Sequence, residues 1–170
     1  MPSEKGLKPL MNTYQSSSME DKLALKQRLY EACLTMQRNS VQRVKDVMKE
    51  AQESALADDE NSEELFDSYR EQMQHTREMY ASQLQSAQND LEVLERVPGN
   101  DSTQVIESGA VVRTETQNFF VSISLGKVDL DGKTYFPIST SSPIFQAMVG
   151  LKQGATFTFR DKKYTIKEVF

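Results

Sequence analysis

The chain reads EAQESALADDENSEELFDSY over residues 50–69, between two long stretches of helical pattern. This segment holds no Lys or Arg, and its eight acids are Glu50, Glu53, Asp58, Asp59, Glu60, Glu63, Glu64 and Asp67. The helical pattern has to reverse direction here, so the acids gather at the tip of a helical hairpin. Because their own protein neutralises them poorly there, they are available to a metal ion or to a basic pocket elsewhere.

Apolar residues recur at steps of three and four on both sides of this acidic tip, which predicts a helix with one apolar face in each case. The first stripe comprises Leu25, Leu29, Ala32, Cys33, Met36, Val44, Val47, Met48, Ala51 and Ala55, and the second comprises Phe66, Tyr69, Met73, Thr76, Tyr80, Ala87, Leu91 and Leu94. Each helix would have about 35 residues and a length on the order of 50 Å. Two such stripes joined by a short turn predict an antiparallel coiled-coil hairpin.

The ends of the two helices carry recognisable signals. Ser17 or Ser18, with acids close behind, predicts the start of the first helix. Asn61 predicts the cap of the second helix, since Glu64 follows three residues later as in a capping box. Residues 97–100, which read VPGN, predict its end because Pro and Gly disfavour a helix.

After residue 100 the sequence changes to short β-branched and aromatic runs. The signals in chain order are strands at 109–113 and 118–123, a turn at Asp131-Gly132, a short helix from Ser142-Pro143 to Gly150, and a hairpin joining 156–159 to 164–169. The chain is therefore predicted to be α+β. We expect a mobile tail at 1–16, a helical hairpin at 17–97 with its tip near 57–61, and a small antiparallel β-domain with one short helix at 98–170.

Composition limits the cellular compartment in which we expect the protein and the kinds of partner that we expect it to bind. The 170 residues carry a formal net charge of −5, which argues against general affinity for nucleic acid. Cys33 is the one cysteine, so no disulfide can form within the chain, and a single cysteine with the single His75 argues against a zinc site. Neither a signal-peptide core nor a run of about 20 apolar residues is present. We expect a cytoplasmic monomer that does not bind membranes.

A second motif lies in the β-domain, where residues 138–144 read ISTSSPI and are followed by Ala147, Gly150 and Gly154. With the acidic hairpin before it, this order resembles the bacterial transcript-cleavage factors GreA and GreB. Their C-terminal domain carries an I-S-x-x-S-P pattern, a short helix, a G-x-x-x-G spacing and a final hairpin. The resemblance spans roughly residues 25–170 and implies an FKBP-like fold for the β-domain.

The resemblance extends to the acidic tip. Residues 60–63 read ENSE and match the E-N-A-E part of the Gre tip pattern. Read without gaps, the first catalytic acid of the family falls on Ala57, and Asp58 and Asp59 lie one and two positions further on. The resemblance implies that Glu60, together with Asp58 or Asp59, supplies the tip carboxylates.

The resemblance also implies a partner and a mechanism. Gre factors insert their coiled coil into the secondary channel of RNA polymerase, and their tip carboxylates help retain the second Mg²⁺ of the polymerase active site. The polymerase then hydrolyses the 3′ end of a backtracked transcript, so the factor is not itself an enzyme and holds no metal or cofactor alone. Ser139, Ser142, Pro143 and Ile144 would contribute to the polymerase-docking surface.

Several alternatives stay open at this point. The displaced first acid favours a secondary-channel regulator or inhibitor without cleavage activity. A different class is a structural coiled-coil protein whose β-domain serves as an adaptor. The acids could also form an ordinary solvated turn. The first helix carries Lys22, Lys26, Arg28, Arg38, Arg43, Lys45 and Lys49, which indicates either surface charge or contact with nascent RNA.

Overall fold

The computed structural model describes residues 8–57 and 63–170. Two long helices come first, followed by strands with one short helix among them. Their bounds are α1 Lys8–Ala57, α2 Glu63–Glu95, β1 Val111–Thr114, β2 Asn118–Ser122, β3 Val128–Leu130, β4 Lys133–Ser139, α3 Pro143–Met148, β5 Thr156–Phe159 and β6 Lys162–Val169. The predicted α+β class, with a helical pair before a β-domain, is confirmed.

The two long helices begin and end at only some of the predicted positions. α1 begins at Lys8, so the start predicted at Ser17 or Ser18 is wrong. Pro9 stands in the first turn of α1, where a missing backbone N–H costs little, and no Gly or Pro follows it within the helix. α2 ends at Glu95, two residues before the VPGN sequence begins at Val97, as predicted. The predicted cap at Asn61 lies outside the described residues.

The chain forms two compact units that share α1. One unit combines the part of α1 up to Cys33 with residues Arg96–Phe170, and the other comprises Leu34–Glu95. The division predicted from the sequence, with a tail at 1–16 and boundaries after 97, stays a prediction.

In the unit Leu34–Glu95, α1 and α2 pack against each other and run in opposite directions. The amide of the buried Gln37 donates a 2.8 Å hydrogen bond to the Ala87 carbonyl. Further along, Met48 of α1 and Met73 of α2 line one small apolar gap. Leu34, Val41, Ala87 and Leu94 form the buried seam. The two helices therefore make an antiparallel hairpin.

The sheet has the strand order β3-β4-β2-β1-β6-β5 and is antiparallel except where β2 pairs with β4 in parallel. Asp131 and Gly132 form the two-residue turn between β3 and β4, with φ of 52° and 73°. That left-handed conformation suits Gly and tolerates Asp, so the predicted turn is confirmed. The sequence signals did not include β3 or β4 as strands.

The two faces of the sheet present different side chains, because successive side chains of a strand point to opposite sides. On one face, Val112 and Phe119 pack in a cluster with Phe145 and Met148 of α3. The neighbouring row on the other face includes Glu168, which is bound by a side chain of α1. The first part of α1 thus belongs to the β-domain. None of the helices in residues 8–57 and 63–170 has an apolar stretch long enough to span a bilayer.

Candidate functional site

The three acids predicted to act at the hairpin tip lie outside the described residues. Asp58, Asp59 and Glu60 fall between the end of α1 at Ala57 and the beginning of α2 at Glu63. Their proposed action on a metal in a partner's active site therefore stays a prediction.

Acids that flank the tip are described, and they face solvent. Glu50 and Asp67 are exposed. The carboxylate of Glu53 lies 3.9 Å from the ammonium of Lys49, and both side chains are more than half exposed. Such a pair contributes little stability. Within the described part of the chain, no group of three or more His, Cys, Asp or Glu side chains could hold a metal ion.

The second predicted site is the loop that joins β4 to α3. Ser142 has an extended backbone, with φ −68° and ψ 142°, and its Oγ accepts a 3.4 Å hydrogen bond from the N–H of Phe145. The same hydroxyl donates a 2.7 Å hydrogen bond to the carbonyl of Ser139. Pro143 is the first residue of α3, where its missing N–H is harmless. The predicted cap and first residue are therefore confirmed.

The four residues predicted to dock a partner differ in how much of their surface is exposed. Pro143 is exposed, whereas Ser139 and Ser142 are half-buried. Ile144 packs against the buried core cluster, so much of its surface is already used by the domain itself. The Ser139 hydroxyl lies 3.0 Å from the hydroxyl of Ser141. Pro143 is thus the member of this set with most surface free for a partner.

Exposed neighbours of Pro143 were not predicted as part of this site. Thr140, Ser141 and Gln146 are exposed, and the Gln146 amide donates a 2.7 Å hydrogen bond to the Thr140 carbonyl. Val149 is 47% exposed at the end of α3. Gln146 and Val149 are three residues apart, as are the buried Phe145 and Met148, and that periodicity was the signal available in the sequence for this pair. Thr140 and Ser141 lie in the loop before α3.

The first third of the predicted basic helix faces its own domain. Lys22 lies 2.6 Å from the carboxylate of Glu168. Lys26 is almost wholly buried and donates a hydrogen bond to the Asp101 carbonyl. Arg28 forms a bidentate pair with Asp131, at 2.8 and 3.1 Å. Lys22 and Lys26 are thus held within the β-domain and Arg28 is paired at its surface, so this part of the helix is not a free basic surface.

Further along α1 the cationic side chains are more exposed to solvent. The guanidinium of Arg38 lies 3.8 Å from the carboxylate of Glu95, with both side chains about half exposed. Arg43 and Lys45 are exposed and form no ion pair within the described part of the chain. Among the side chains of α1 that the structure describes, the exposed cations of this stretch are open to a polyanion.

Burial and pairing shift the acidity of several groups on α1. Burial lowers the pKa of the Lys26 ammonium, and the nearby acids Asp101 and Glu107 offset part of that change. The hydrogen bond with Asp131 raises the pKa of Arg28, and the same bond lowers the pKa of Asp131. Burial raises the pKa of the Cys33 thiol to about 12, although the neighbouring Ser122 hydroxyl lowers it somewhat. Cys33 is therefore a core residue, not a nucleophile.

Comparison with known proteins gave matches among solved structures alone, since no family profile and no curated protein matches the chain. It is similar to GreA factor homolog 1 of Thermus thermophilus, at 18% identity over 85% of this chain and 94% of that chain, with a TM-score of 0.31. The Thermus aquaticus protein of the same name gives 21% identity over 84% and 92%, with a TM-score of 0.29. Because these values are low, function has to be argued from this chain's own residues.

Proposed function

We propose that this protein is a Gre-like bacterial transcription factor that binds RNA polymerase through its secondary channel. Its helical hairpin would reach towards the polymerase active site, where the tip carboxylates stimulate cleavage of backtracked transcripts. The polymerase performs the hydrolysis, so the protein is not itself an enzyme. The observation that supports this proposal most is the form of residues 138–144, which make one unit of strand end, helix cap and helix start.

The proposed chemistry belongs to Glu60, with Asp58 or Asp59 beside it. Mg²⁺ prefers oxygen ligands and retains part of its water shell, so a carboxylate supplied from outside can complete its coordination. The Mg²⁺ of the polymerase supplies charge stabilisation for phosphodiester hydrolysis. This chain would contribute the carboxylates and the reach, and it would hold no metal or cofactor alone.

The proposed docking surface centres on Pro143. Its ring is exposed at the start of α3, beside the exposed Thr140, Ser141 and Gln146. The cap hydrogen bonds of Ser142 fix the loop before a partner arrives, so less conformational entropy is lost on binding. The β-domain would have the FKBP-like fold of the Gre factors, and the protein would act in the cytoplasm as a monomer.

Contact with nascent RNA, if the hairpin meets it, would involve Arg43 and Lys45. The cations nearer the N-terminal end of α1, Lys22 and Arg28 among them, are already bound to carboxylates of the β-domain. Arg43 and Lys45 are exposed on the part of α1 that belongs to the helical hairpin.

A second function is favoured by one specific observation. Ala57, which takes the place of the first Gre acid, is the last residue of α1. A methyl group there cannot bind a metal, so cleavage depends on Asp58 or Asp59 taking over. If they do not, the protein would occupy the channel as a regulator or inhibitor without stimulating cleavage. The remaining alternative is a coiled-coil adaptor with a different partner.

Transcript cleavage in stalled elongation complexes tests the proposal. The wild-type protein should stimulate cleavage, and Glu60→Ala should reduce the rate by about tenfold or more while polymerase binding stays intact. Glu71→Ala is the matched control, because Glu71 is an exposed acid of α2 outside the tip.

Two results would favour the alternatives. If the wild-type protein binds polymerase yet stimulates no cleavage, it is a channel regulator. If a pull-down from cell extract recovers no polymerase subunit, the adaptor function is favoured and the Gre-like proposal is wrong.

A further inference from the structure

A polar groove of about 430 Å³ opens at one end of the sheet, beside the turn that joins β1 to β2. Its walls come from β1, β2, β4 and β6, which lie side by side in the sheet. The charged residues that line it are Arg113, Glu115, Lys133, Lys167 and Glu168, with the hydroxyl of Thr116 among them. All of these residues belong to the unit that contains the β-domain.

The two acids of the groove are already occupied by other groups. Glu115 accepts a 2.7 Å hydrogen bond from the backbone N–H of Thr165. Glu168 is bound by Lys22 at 2.6 Å and by Arg113 at 2.8 Å. Both carboxylates are therefore neutralised or hydrogen-bonded within the domain itself.

The lysines of the groove are free by comparison. Lys133 and Lys167 are exposed, and neither forms an ion pair within 4 Å inside the described ranges. A lysine ammonium carries three donors and strongly attracts phosphate oxygens. Lys167 also attracts Glu115 and helps to lower the pKa of that carboxyl, so Lys133 is the lysine of the groove whose charge the fold leaves unused.

A shift in strand register and a local hydrogen-bonded turn define the backbone around the groove. The register between β1 and β6 shifts between Arg113 and Thr114, which marks a β-bulge. The Thr114 hydroxyl then accepts hydrogen bonds from the N–H groups of Thr116 and Gln117, at 3.3 and 3.0 Å. Bulges bend a strand and re-aim its side chains, often beside binding sites.

Arg113 lines the groove, but its hydrogen bonds are made within the domain. Its terminal nitrogens donate to Glu168 and to the Tyr135 hydroxyl, at 2.8 and 2.9 Å. Its Nε is buried and has no hydrogen-bond partner. Because this atom is closed to solvent, a ligand in the groove would not reach it, and Arg113 serves to hold Glu168 and Tyr135 in place.

We propose that this groove binds a small phosphorylated ligand of about nucleotide size. Lysine ammonium groups bind phosphate, and the volume lies within the range of about 300–1,000 Å³ typical of small-molecule sites. A nucleic-acid strand fits less well, because it needs a continuous track of cations and the groove is interrupted by Glu115 and Glu168. The proposal is independent of polymerase binding.

An NMR titration of the full chain tests the proposal, with inorganic pyrophosphate and ATP as separate probes. Both should shift the backbone amides of Thr116 and Lys167 in a saturable way. The Lys133→Gln, Lys167→Gln double variant should weaken binding by about tenfold or more, since it removes two charge-assisted contacts. Lys152→Gln is the matched control, because Lys152 is exposed and does not line the groove.

Three results would overturn the proposal. The first is no saturable shift at these amides with either probe. The second is an equal loss of binding in Lys152→Gln, which would indicate attraction by net charge alone. The third is tighter binding of a single-stranded RNA oligonucleotide without terminal phosphate than of ATP, which would assign the groove to nucleic acid.

Discussion

Lys22 of α1 lies 2.6 Å from a carboxylate oxygen of Glu168 in β6, so two segments far apart in the sequence share an ion pair. The other oxygen of Glu168 is 2.8 Å from Arg113 of β1. Arg113 in turn donates to the Tyr135 hydroxyl, and its guanidinium carbon lies 5.3 Å from the centre of the Phe170 ring. This half-buried network fastens α1 to the sheet.

Removing the shared carboxylate should destabilise the β-domain. Glu168→Gln leaves Lys22 and Arg113 without a counter-charge in a site where the side chains are only 22–28% exposed. We expect the free energy of unfolding to fall by about 1–3 kcal/mol, measured by urea denaturation. Asp129→Asn is the control: it breaks an exposed 3.7 Å pair with Lys127, its amide oxygen can still accept the hydrogen bond from the Thr134 hydroxyl, and it should cost about 0.5 kcal/mol or less. Equal losses in both variants would refute the importance of burial here.

The same network predicts a pH dependence. Burial tends to raise the pKa of Glu168, but the hydrogen bonds from Lys22 and Arg113 outweigh it and hold the pKa below the usual 4.5. A carboxyl group with a lowered pKa stabilises the folded state fully above its unfolded pKa, and that stability is lost as the pH falls through the folded value. The difference in unfolding free energy between wild type and Glu168→Gln should therefore shrink below about pH 4.5. A difference that stays constant down to about pH 3 would contradict this assignment.

Cys33 should resist thiol reagents while the protein is folded. Its side chain is fully buried, and burial raises its pKa to about 12. At pH 8 only about one thiol in ten thousand would be ionised, and the thiolate is the reactive form. Modification by a disulfide reagent should follow unfolding, with rapid reaction in denaturant as the control. Fast labelling of the native protein would show that the part of α1 near Cys33 opens from the sheet.

The cap of α3 should contribute measurably to stability. Ser142→Ala removes both the hydrogen bond accepted from Phe145 and the one donated to Ser139. We expect a loss of about 1 kcal/mol in thermal or urea unfolding. Ser141→Ala is matched in chemistry but loses only a contact with the Ser139 hydroxyl, and its effect should be much smaller. A larger loss at Ser141 would be inconsistent with the capping role.

Two glycines with similar backbone angles should respond differently to alanine. Gly109 has φ +89°, and a Cβ there would meet the Pro98 carbonyl oxygen at 2.5 Å. Gly154 has φ +86° and nothing within 4 Å. Gly154→Ala should cost about 1 kcal/mol from backbone strain alone, whereas Gly109→Ala should cost about 2 kcal/mol or more. Similar unfolding free energies for the two variants would show that the chain at Pro98 can move aside.

The sequence predicts this fold best where a few adjacent residues decide the local structure. Asp131-Gly132 adopts the left-handed turn expected of that pair. Ser142-Pro143 caps and begins α3, and residues 97–100 follow the end of α2. In each case the deciding forces are backbone sterics and hydrogen bonds that span only a few residues.

Side-chain contacts between residues that are far apart in the sequence could not be predicted. Lys22, Lys26 and Arg28 recur like surface charges of a free helix, yet their partners are Glu168, Asp101 and Asp131. Helical periodicity tells which residues share a face but not what covers that face. The groove beside Arg113 could not be predicted for the same reason, since four strands from separate parts of the chain form it.

The position of β6 has a consequence for biosynthesis. This strand follows all the others in chain order, yet in the sheet it lies inside, between β1 and β5. While the ribosome is still making β6, β1 lacks one neighbour and the Lys22 end of α1 lacks its acid. The helical hairpin, Leu34–Glu95, can form during translation, but the β-domain has to wait until residue 168 has left the exit tunnel. Until then the side of β1 that later pairs with β6 keeps unpaired backbone N–H and C=O groups.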